Sequence, residues 1–130
     1  MKQHLVEYLR SHGDEVDDVG THSSEPVDYP AYGARVAARV VERQARGLII
    51  CGTGNGIAMA ANKIAGVRCA VVTDEYTARM ARSHNDANII AIGARVVGLG
   101  VAERAVLVFR DQEFVAKHRH RVEMLMDIER

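Results

Sequence analysis

The spacing of apolar residues along this chain predicts helices that alternate with strands. Leu5, Tyr8 and Leu9 recur on one helix face, whereas residues 48–51 form a short apolar run typical of a buried strand. We predict helices over residues 2–12, 30–47, 57–64, 101–109 and 113–129, and another capped by Asp74. We predict strands over residues 48–51, 67–72 and 88–92, and a weaker, polar strand over residues 15–19.

This alternation predicts an α/β fold, a Rossmann-like three-layer αβα arrangement with a mainly parallel sheet. The later strands are almost entirely apolar, which indicates a sheet covered by helices on both faces. A length of 130 residues suits a single domain over residues 1–130. Ligands of such sheets bind beyond the carboxyl ends of the strands, where we expect Cys51, Thr73 and Gly93.

Composition and charge exclude several other classes of protein. A hydrophobic content of 48% argues against disorder, and a net charge of zero offers no basic field for nucleic acid or a membrane surface. No apolar run is long enough to span a membrane, and the N-terminus does not have the pattern of a signal peptide. Two cysteines do not make a disulfide framework, so we expect a reducing, cytoplasmic location.

The first candidate for chemistry is Cys51 with the glycine loop that follows it, residues 52–56. A helix N-terminus lowers a thiol pKa, so Cys51 is a candidate base or nucleophile, although a buried strand cysteine is an equally good interpretation. The loop lacks the spacing of dinucleotide-binding loops and the ending of nucleotide P-loops. It suits a phosphate or a developing oxyanion, or else it is a tight turn that needs positive φ.

Two polar runs are further candidates. His84 lies in a run from Ser83 to Asn88 and is able to transfer protons near neutral pH, although on its own the run resembles a helix C-terminal cap. In the run 117–121, Lys117 and Arg121 would share one helix face and suit a phosphate monoester, whereas the plain alternative is a solvated basic face. The histidines show no spacing typical of a metal site.

Together these segments resemble the family of ribose-5-phosphate isomerase B, which also includes the galactose-6-phosphate isomerase subunits. The matching segments occur in the family's order and cover nearly the whole chain. They are Gly20-Thr21, Ser23-Ser24-Glu25, Val27-Asp28-Tyr29-Pro30, Ile50–Gly56, Ala60–Lys63, His84–Asn88, Gly93–Gly98, His118 and Arg121-Val122.

The resemblance implies an aldose–ketose isomerase that uses no metal or organic cofactor and interconverts ribose 5-phosphate and ribulose 5-phosphate. Cys51 would move a proton between carbons 2 and 1 through an enediolate, and Thr53 would assist. His84 would open the furanose ring. One branch of the family uses a Glu where this chain has Ile57, which leaves Cys51 as the base.

The resemblance also implies the substrate-binding residues. The loop, with Gly52, Gly54, Asn55 and Gly56, would stabilise the enediolate oxygen through its N–H groups. The other expected contacts are Asn85 on a sugar hydroxyl, Tyr29 along the pocket, and Arg95, Lys117, His118 and Arg121 at the phosphate end. The site would lie across a homodimer interface, with pairing into a tetramer as an alternative, and with no nucleic acid or membrane partner.

The chain departs from the family's pattern in ways that leave two other functions open. Lys117 stands where the family usually has Arg, and the glycines that usually precede it are absent. The family's first strand, which ends in an Asp-His pair, would precede Met1, so we expect an internal start or an N-terminally shortened chain. A sheet closed by another strand or subunit is the other explanation. The alternatives are isomerisation of another aldose phosphate, such as a hexose 6-phosphate, and non-catalytic sugar-phosphate binding.

Overall fold

The computed structural model describes residues 1–129, which fold as alternating helices and strands. The helices are α1 Lys2–Ser11, α2 Tyr29–Arg43, α3 Asn55–Ala61, α4 Glu75–Ser83, α5 Leu99–Asp111 and α6 Arg119–Asp127, with a 3₁₀ turn at Ala116–His118. The strands are β1 Gly47–Cys51, β2 Cys69–Val71 and β3 Ile89–Gly93. None of the helices within residues 1–129 is both long enough and apolar enough to cross a membrane.

The three strands form a parallel sheet in the order β1-β3-β2. All five residues of the central strand β3 are buried, as expected for a strand covered on both faces. One apolar cluster, on one face of the sheet, joins Leu5 of α1 to Phe109 of α5, and a second, on the other face, joins Val40 of α2 to Ile57 of α3. The predicted α/β class with a parallel sheet between helical layers is therefore confirmed.

Local chemistry explains where two of the helices begin and end. Asp74 caps α4 as predicted, since its carboxylate accepts the Thr77 N–H while the Thr77 hydroxyl accepts the Asp74 N–H. The predicted end of α2 at Gly47 is wrong, because the helix ends at Arg43 and Gln44 follows in the left-handed region. Gly47 begins β1 instead, and a Cβ there would lie 2.8 Å from Val40, so its hydrogen lets α2 pack closely on the strand.

The predicted strand over residues 15–19 is wrong. Side chains hold this extended segment in place: the Asp17 carboxylate accepts from Arg39 and Arg43 at 2.8 and 3.0 Å, and the Val16 carbonyl accepts from Arg10. A strand needs a backbone partner, and this segment has none within residues 1–129. The edge of β1 that faces away from β3 also has no backbone partner there.

The predicted C-terminal helix over residues 113–129 begins later, at Arg119. Its predicted core face was Val115, Val122, Leu125 and Met126, yet no residue of α6 is buried and Leu125 is 48% exposed. The apolar spacing identified a helix face that suits burial, but residues 1–129 of this chain do not cover that face.

Candidate active site

The first half of the site lies at the carboxyl end of β1, where Cys51 enters the glycine loop. Its Sγ accepts the Gly54 N–H at 3.1 Å. Burial raises the pKa of the Cys51 thiol, but the backbone N–H groups of Ile57, Gly54 and Thr53 and the Thr53 hydroxyl together bring it below its ordinary value. The thiolate is therefore the form that this loop stabilises.

Thr53 and the loop backbone form a compact turn around the thiol. The Thr53 hydroxyl accepts the Asn55 N–H at 3.2 Å, and Gly54 has a φ of +85°, which favours glycine. The N–H groups of Gly54 and Asn55 thus already have partners in the sulfur and the hydroxyl. In this structure the loop therefore positions the Cys51 side chain.

Two further glycines allow close approach around this loop. A Cβ on Gly93, which pairs with Cys51 across the sheet, would lie 2.6 Å from the Thr53 carbonyl. A Cβ on Gly56 would lie 2.5 Å from the ring of Tyr29 at the start of α2. The ring of Tyr29 therefore lies directly against the loop, as a lining residue would.

Arg95 belongs to this same half. Its N–H donates to the Gly52 carbonyl at 3.0 Å, and its guanidinium covers Gly52, where a Cβ would be 3.3 Å from Nη1. The Ala94 N–H donates to the Cys51 carbonyl at 2.8 Å. Within one chain, Arg95 is thus grouped with the thiol and not with the other predicted phosphate-binding residues.

The second half of the site is a pocket of about 110 Å³ at the C-terminal end of α4. The His84 and His118 rings pack against each other with centroids 4.1 Å apart. The pocket is lined by His84, Asn85, His118, Arg121, Val122 and Leu125. Lys117 lies exposed on the 3₁₀ turn and does not line the pocket.

The charges of this pocket act on His118. Burial lowers the pKa of its imidazole, and the neighbouring His84, Lys117 and Arg121 lower it further. Its Nε2 is buried without a hydrogen-bond partner in residues 1–129. The neutral ring is therefore favoured, with a polar atom that a ligand hydroxyl or phosphate oxygen would satisfy. No group of three or more potential metal ligands occurs in the described part of the chain.

The two halves lie at opposite ends of the sheet. Cys51 ends β1, whereas His84 and Asn85 precede β3, which runs parallel to β1. A five-residue strand is about 16 Å long, so one chain holds the thiol and the imidazole far apart. The structure brings together Cys51, Thr53, Tyr29 and Arg95 in one group, and His84, Asn85, His118 and Arg121 in another.

Sequence reasoning missed three charged residues beside the second half. Asp86 accepts hydrogen bonds from Arg82 and Arg68, and Arg82 is one of the two buried polar residues among those described. The spacing of Arg82 and Asp86 at i and i+4 was a signal for their pairing. Arg68 is 18 residues from Asp86, and no local pattern connects them.

Comparisons with known proteins show the family to which this chain belongs. The model of the family described as Ribose/Galactose Isomerase matches residues 1–125. Ribose-5-phosphate isomerase B of Escherichia coli K12 is 44% identical over 131 residues, which cover 99% of this chain and 88% of that protein.

Solved structures give the same result. Ribose-5-phosphate isomerase B of Clostridium thermocellum superposes with a TM-score of 0.95 at 48% identity, covering 98% of this chain and 88% of that one. The Mycoplasma genitalium enzyme with bound ribulose-5-phosphate superposes with a TM-score of 0.94 at 33% identity, covering 98% and 87%. The class that the fold and site define is the aldose–ketose isomerases. The chain belongs to the ribose/galactose isomerase family.

Proposed function

We propose that this chain interconverts ribose 5-phosphate and ribulose 5-phosphate, with Cys51 as the base. The observation that carries the proposal is the thiol whose pKa the loop N–H groups lower. In the open-chain aldose, the Cys51 thiolate takes the proton from carbon 2, and the electron pair moves to form an enediolate. The hydroxyl proton on oxygen 2 passes to oxygen 1, the thiol returns its proton to carbon 1, and the carbonyl forms at carbon 2.

The glycine loop suits both charge states of this reaction. Before the transfer, its N–H groups stabilise the negative sulfur. When the sulfur takes the proton, negative charge appears on the substrate oxygen beside the same dipoles, with Thr53 at that end of the sugar. Because the same N–H groups stabilise the charge first on the sulfur and then on the substrate oxygen, they need little reorganisation during the reaction.

The proposed roles at the other end follow from the pocket. His84 would transfer the protons that open the furanose ring, and Asn85 would hold a sugar hydroxyl. Arg121 and the buried, unpartnered Nε2 of His118 would bind the phosphate end. Tyr29 and Arg95 would contact the sugar from the side of the thiol. Lys117, exposed outside the pocket lining, would add only long-range positive charge.

The proposal includes a homodimer in which each site takes one half from each subunit. Two observations support it: the pocket of about 110 Å³ is smaller than the ~300–1,000 Å³ typical of small-molecule sites, and the halves lie at opposite sheet ends. Exposed apolar residues border both halves. They are Val71 at the end of β2, Val96 and Leu99 after the end of β3, and Met124, Leu125 and Ile128 on α6 and directly after it. A two-fold axis would bury both surfaces and complete two sites.

Mixing two inactive variants tests the whole proposal. Cys51→Ala and His84→Asn should each be inactive alone with ribose 5-phosphate. In a mixed dimer, one site would combine the intact cysteine with the intact histidine, so co-expression should restore about a quarter of the parent activity per chain. Two differently tagged copies of Cys51→Ala provide the matched control and should restore none.

Two results of this experiment would contradict the proposal. No recovery in the mixed dimers would show that the site is not shared between subunits. If a hexose 6-phosphate offered in parallel were the better substrate, the proposed substrate would be wrong. The proposal also places the enzyme in the cytoplasm, which is supported by two unpaired cysteines.

A further inference from the structure

The turn that carries His84 and Asn85 contains an unusual backbone conformation. Asp86 has a φ of +48°, in the left-handed region, and it is one of two non-glycine residues with positive φ among those described. Glycine adopts this conformation most readily, and asparagine and aspartate adopt it more often than other residues do. The chain has aspartate here, so the turn also carries a carboxylate.

That carboxylate lies between two arginines. Arg82 Nη1 donates to Asp86 Oδ1 at 2.9 Å and to the Ala87 carbonyl at 2.7 Å. Arg82 is only 7% exposed. Arg68 Nε donates to the Asp86 carbonyl at 2.7 Å, and its Nη2 lies 3.4 Å from Oδ2. A buried arginine needs such a partner, so these three residues form one connected unit.

The same unit contacts both walls of the second pocket. One wall is the turn with His84 and Asn85, directly before Asp86. The other is α6, where Arg68 Nη1 donates to Met126 Sδ at 3.4 Å. The Arg68 N–H also donates to Asn88 Oδ1 at 2.8 Å, which ties the turn to the start of β2. Arg68 therefore connects the turn to the helix that carries Arg121.

We propose that Asp86, held between Arg68 and Arg82, is a positioning residue that fixes His84 against His118 and so sets the geometry of the sugar-phosphate pocket. The role in the reaction rests on the proposed isomerase function. The role in placing the two rings does not, and it is measurable without substrate.

Asp86→Asn tests this role with little change of shape. Asparagine tolerates the left-handed backbone but loses the charge that both arginines contact. Asp17→Asn is the matched control, since Asp17 also accepts from two arginines, Arg39 and Arg43, and none of these residues lines the pocket. Asp86→Gly adopts the turn without any side chain and separates backbone from side-chain effects.

The readouts are the nuclear Overhauser contact between the His84 and His118 rings, kcat/KM for ribose 5-phosphate, and Tm. For Asp86→Asn and Asp86→Gly we expect the ring contact to be lost and kcat/KM to fall about 10- to 100-fold, as for a displaced catalytic group. Tm should fall further in Asp86→Asn than in Asp17→Asn, because Arg82 is buried whereas Arg39 and Arg43 are exposed, so kcat/KM is compared per folded chain. Asp17→Asn should keep the ring contact and the parent kcat/KM.

Each other outcome overturns a defined part of the inference. A ring contact that persists in both Asp86 variants would show that Asp86 does not position His84. Loss of the contact with unchanged kcat/KM would remove its role in the reaction, and so would a fall in kcat/KM that only follows the folded fraction. A parent chain that converts no sugar phosphate would overturn the proposed function, while the ring contact would still decide the positioning role.

Discussion

The two halves of the proposed site, at opposite ends of the sheet, differ in the groups that surround Cys51 and His84. At the carboxyl end, backbone N–H groups and close glycine contacts surround Cys51. At the amino end, charged side chains and an exposed helix surround His84. A base that must stay ionised needs fixed dipoles, whereas a phosphate anchor needs charges that reach into solvent. In the proposed function, proton transfer between carbons 1 and 2 belongs to the carboxyl end, whereas ring opening and phosphate binding belong to the amino end.

The largest expected effect comes from removing Cys51, the proposed base at the carboxyl end. Cys51→Ala should lower kcat by about 10³- to 10⁴-fold, at the upper range for a general base, while binding of phosphate ligands at the other end persists. Steady-state kinetics and ligand titration measure the two separately. Cys69→Ala is the control, since burial raises the pKa of the Cys69 thiol to about 12 and makes it unreactive. Retained turnover in Cys51→Ala would remove this residue from its role.

A charge on the exposed face of α6 should dissociate the proposed dimer and so separate the two halves of each site. Met124→Asp places a carboxylate on the proposed dimer surface, outside the pocket lining, and we expect monomers whose turnover is reduced about 100-fold or more, since desolvating an unpaired charge opposes association. Light scattering and kinetics check this, and Met124→Leu should keep both the dimer and the activity. A monomeric variant with parent activity would mean that one chain holds a complete site.

A methyl group at Gly93 should disturb only the carboxyl end. Its Cβ would lie 2.6 Å from the Thr53 carbonyl, so the loop must shift. We expect Gly93→Ala to lower kcat/KM roughly 10- to 100-fold and the free energy of unfolding by about 1–3 kcal/mol. Denaturant unfolding and kinetics measure both. Gly100→Ala, whose Cβ would meet nothing closer than 3.6 Å, should leave the activity unchanged. An unaltered loop in Gly93→Ala would contradict the packing argument.

The smallest expected effect is a shift in the pH dependence of kcat/KM. The Thr53 hydroxyl is one of the groups that lower the pKa of Cys51, so Thr53→Val should raise that pKa. Because the thiolate is the active form, the acid limb of the kcat/KM profile should move to higher pH, and so should thiol alkylation at Cys51. Thr73→Val, outside the loop, should leave both profiles in place. A limb that stays or moves to lower pH would show that the hydroxyl does not stabilise the thiolate.

The parts of the fold that the sequence predicted well are those that the chain itself stabilises. The apolar runs around Ile49 and Ile90 and the cap at Asp74 depend on local patterns and on burial within one domain. The strand over residues 15–19 and the buried face of α6 were predicted wrongly, because within residues 1–129 no backbone group pairs with the first and nothing buries the second. A polar extended segment and an amphipathic helix look the same in sequence with or without a partner.

The candidate site was predictable to a similar degree. Cys51 stood out because glycines followed a strand, and this pattern is local. That Arg95 lies with the thiol depends on how the turn after β3 folds over Gly52, which no spacing encodes. The contact of Arg68 with Asp86 joins two turns distant in sequence, so only the folded sheet reveals it.

The exposure of α6 has a consequence for how the protein folds. A nine-residue helix has little stability by itself. Met126 of α6 accepts a hydrogen bond from Arg68, and Glu129, just beyond the helix, accepts the Gly66 N–H. If a second subunit covers α6, ordering of this helix becomes a bimolecular step. Dilution would then melt α6 before the sheet, and refolding would show a slow, concentration-dependent phase in which the pocket forms last.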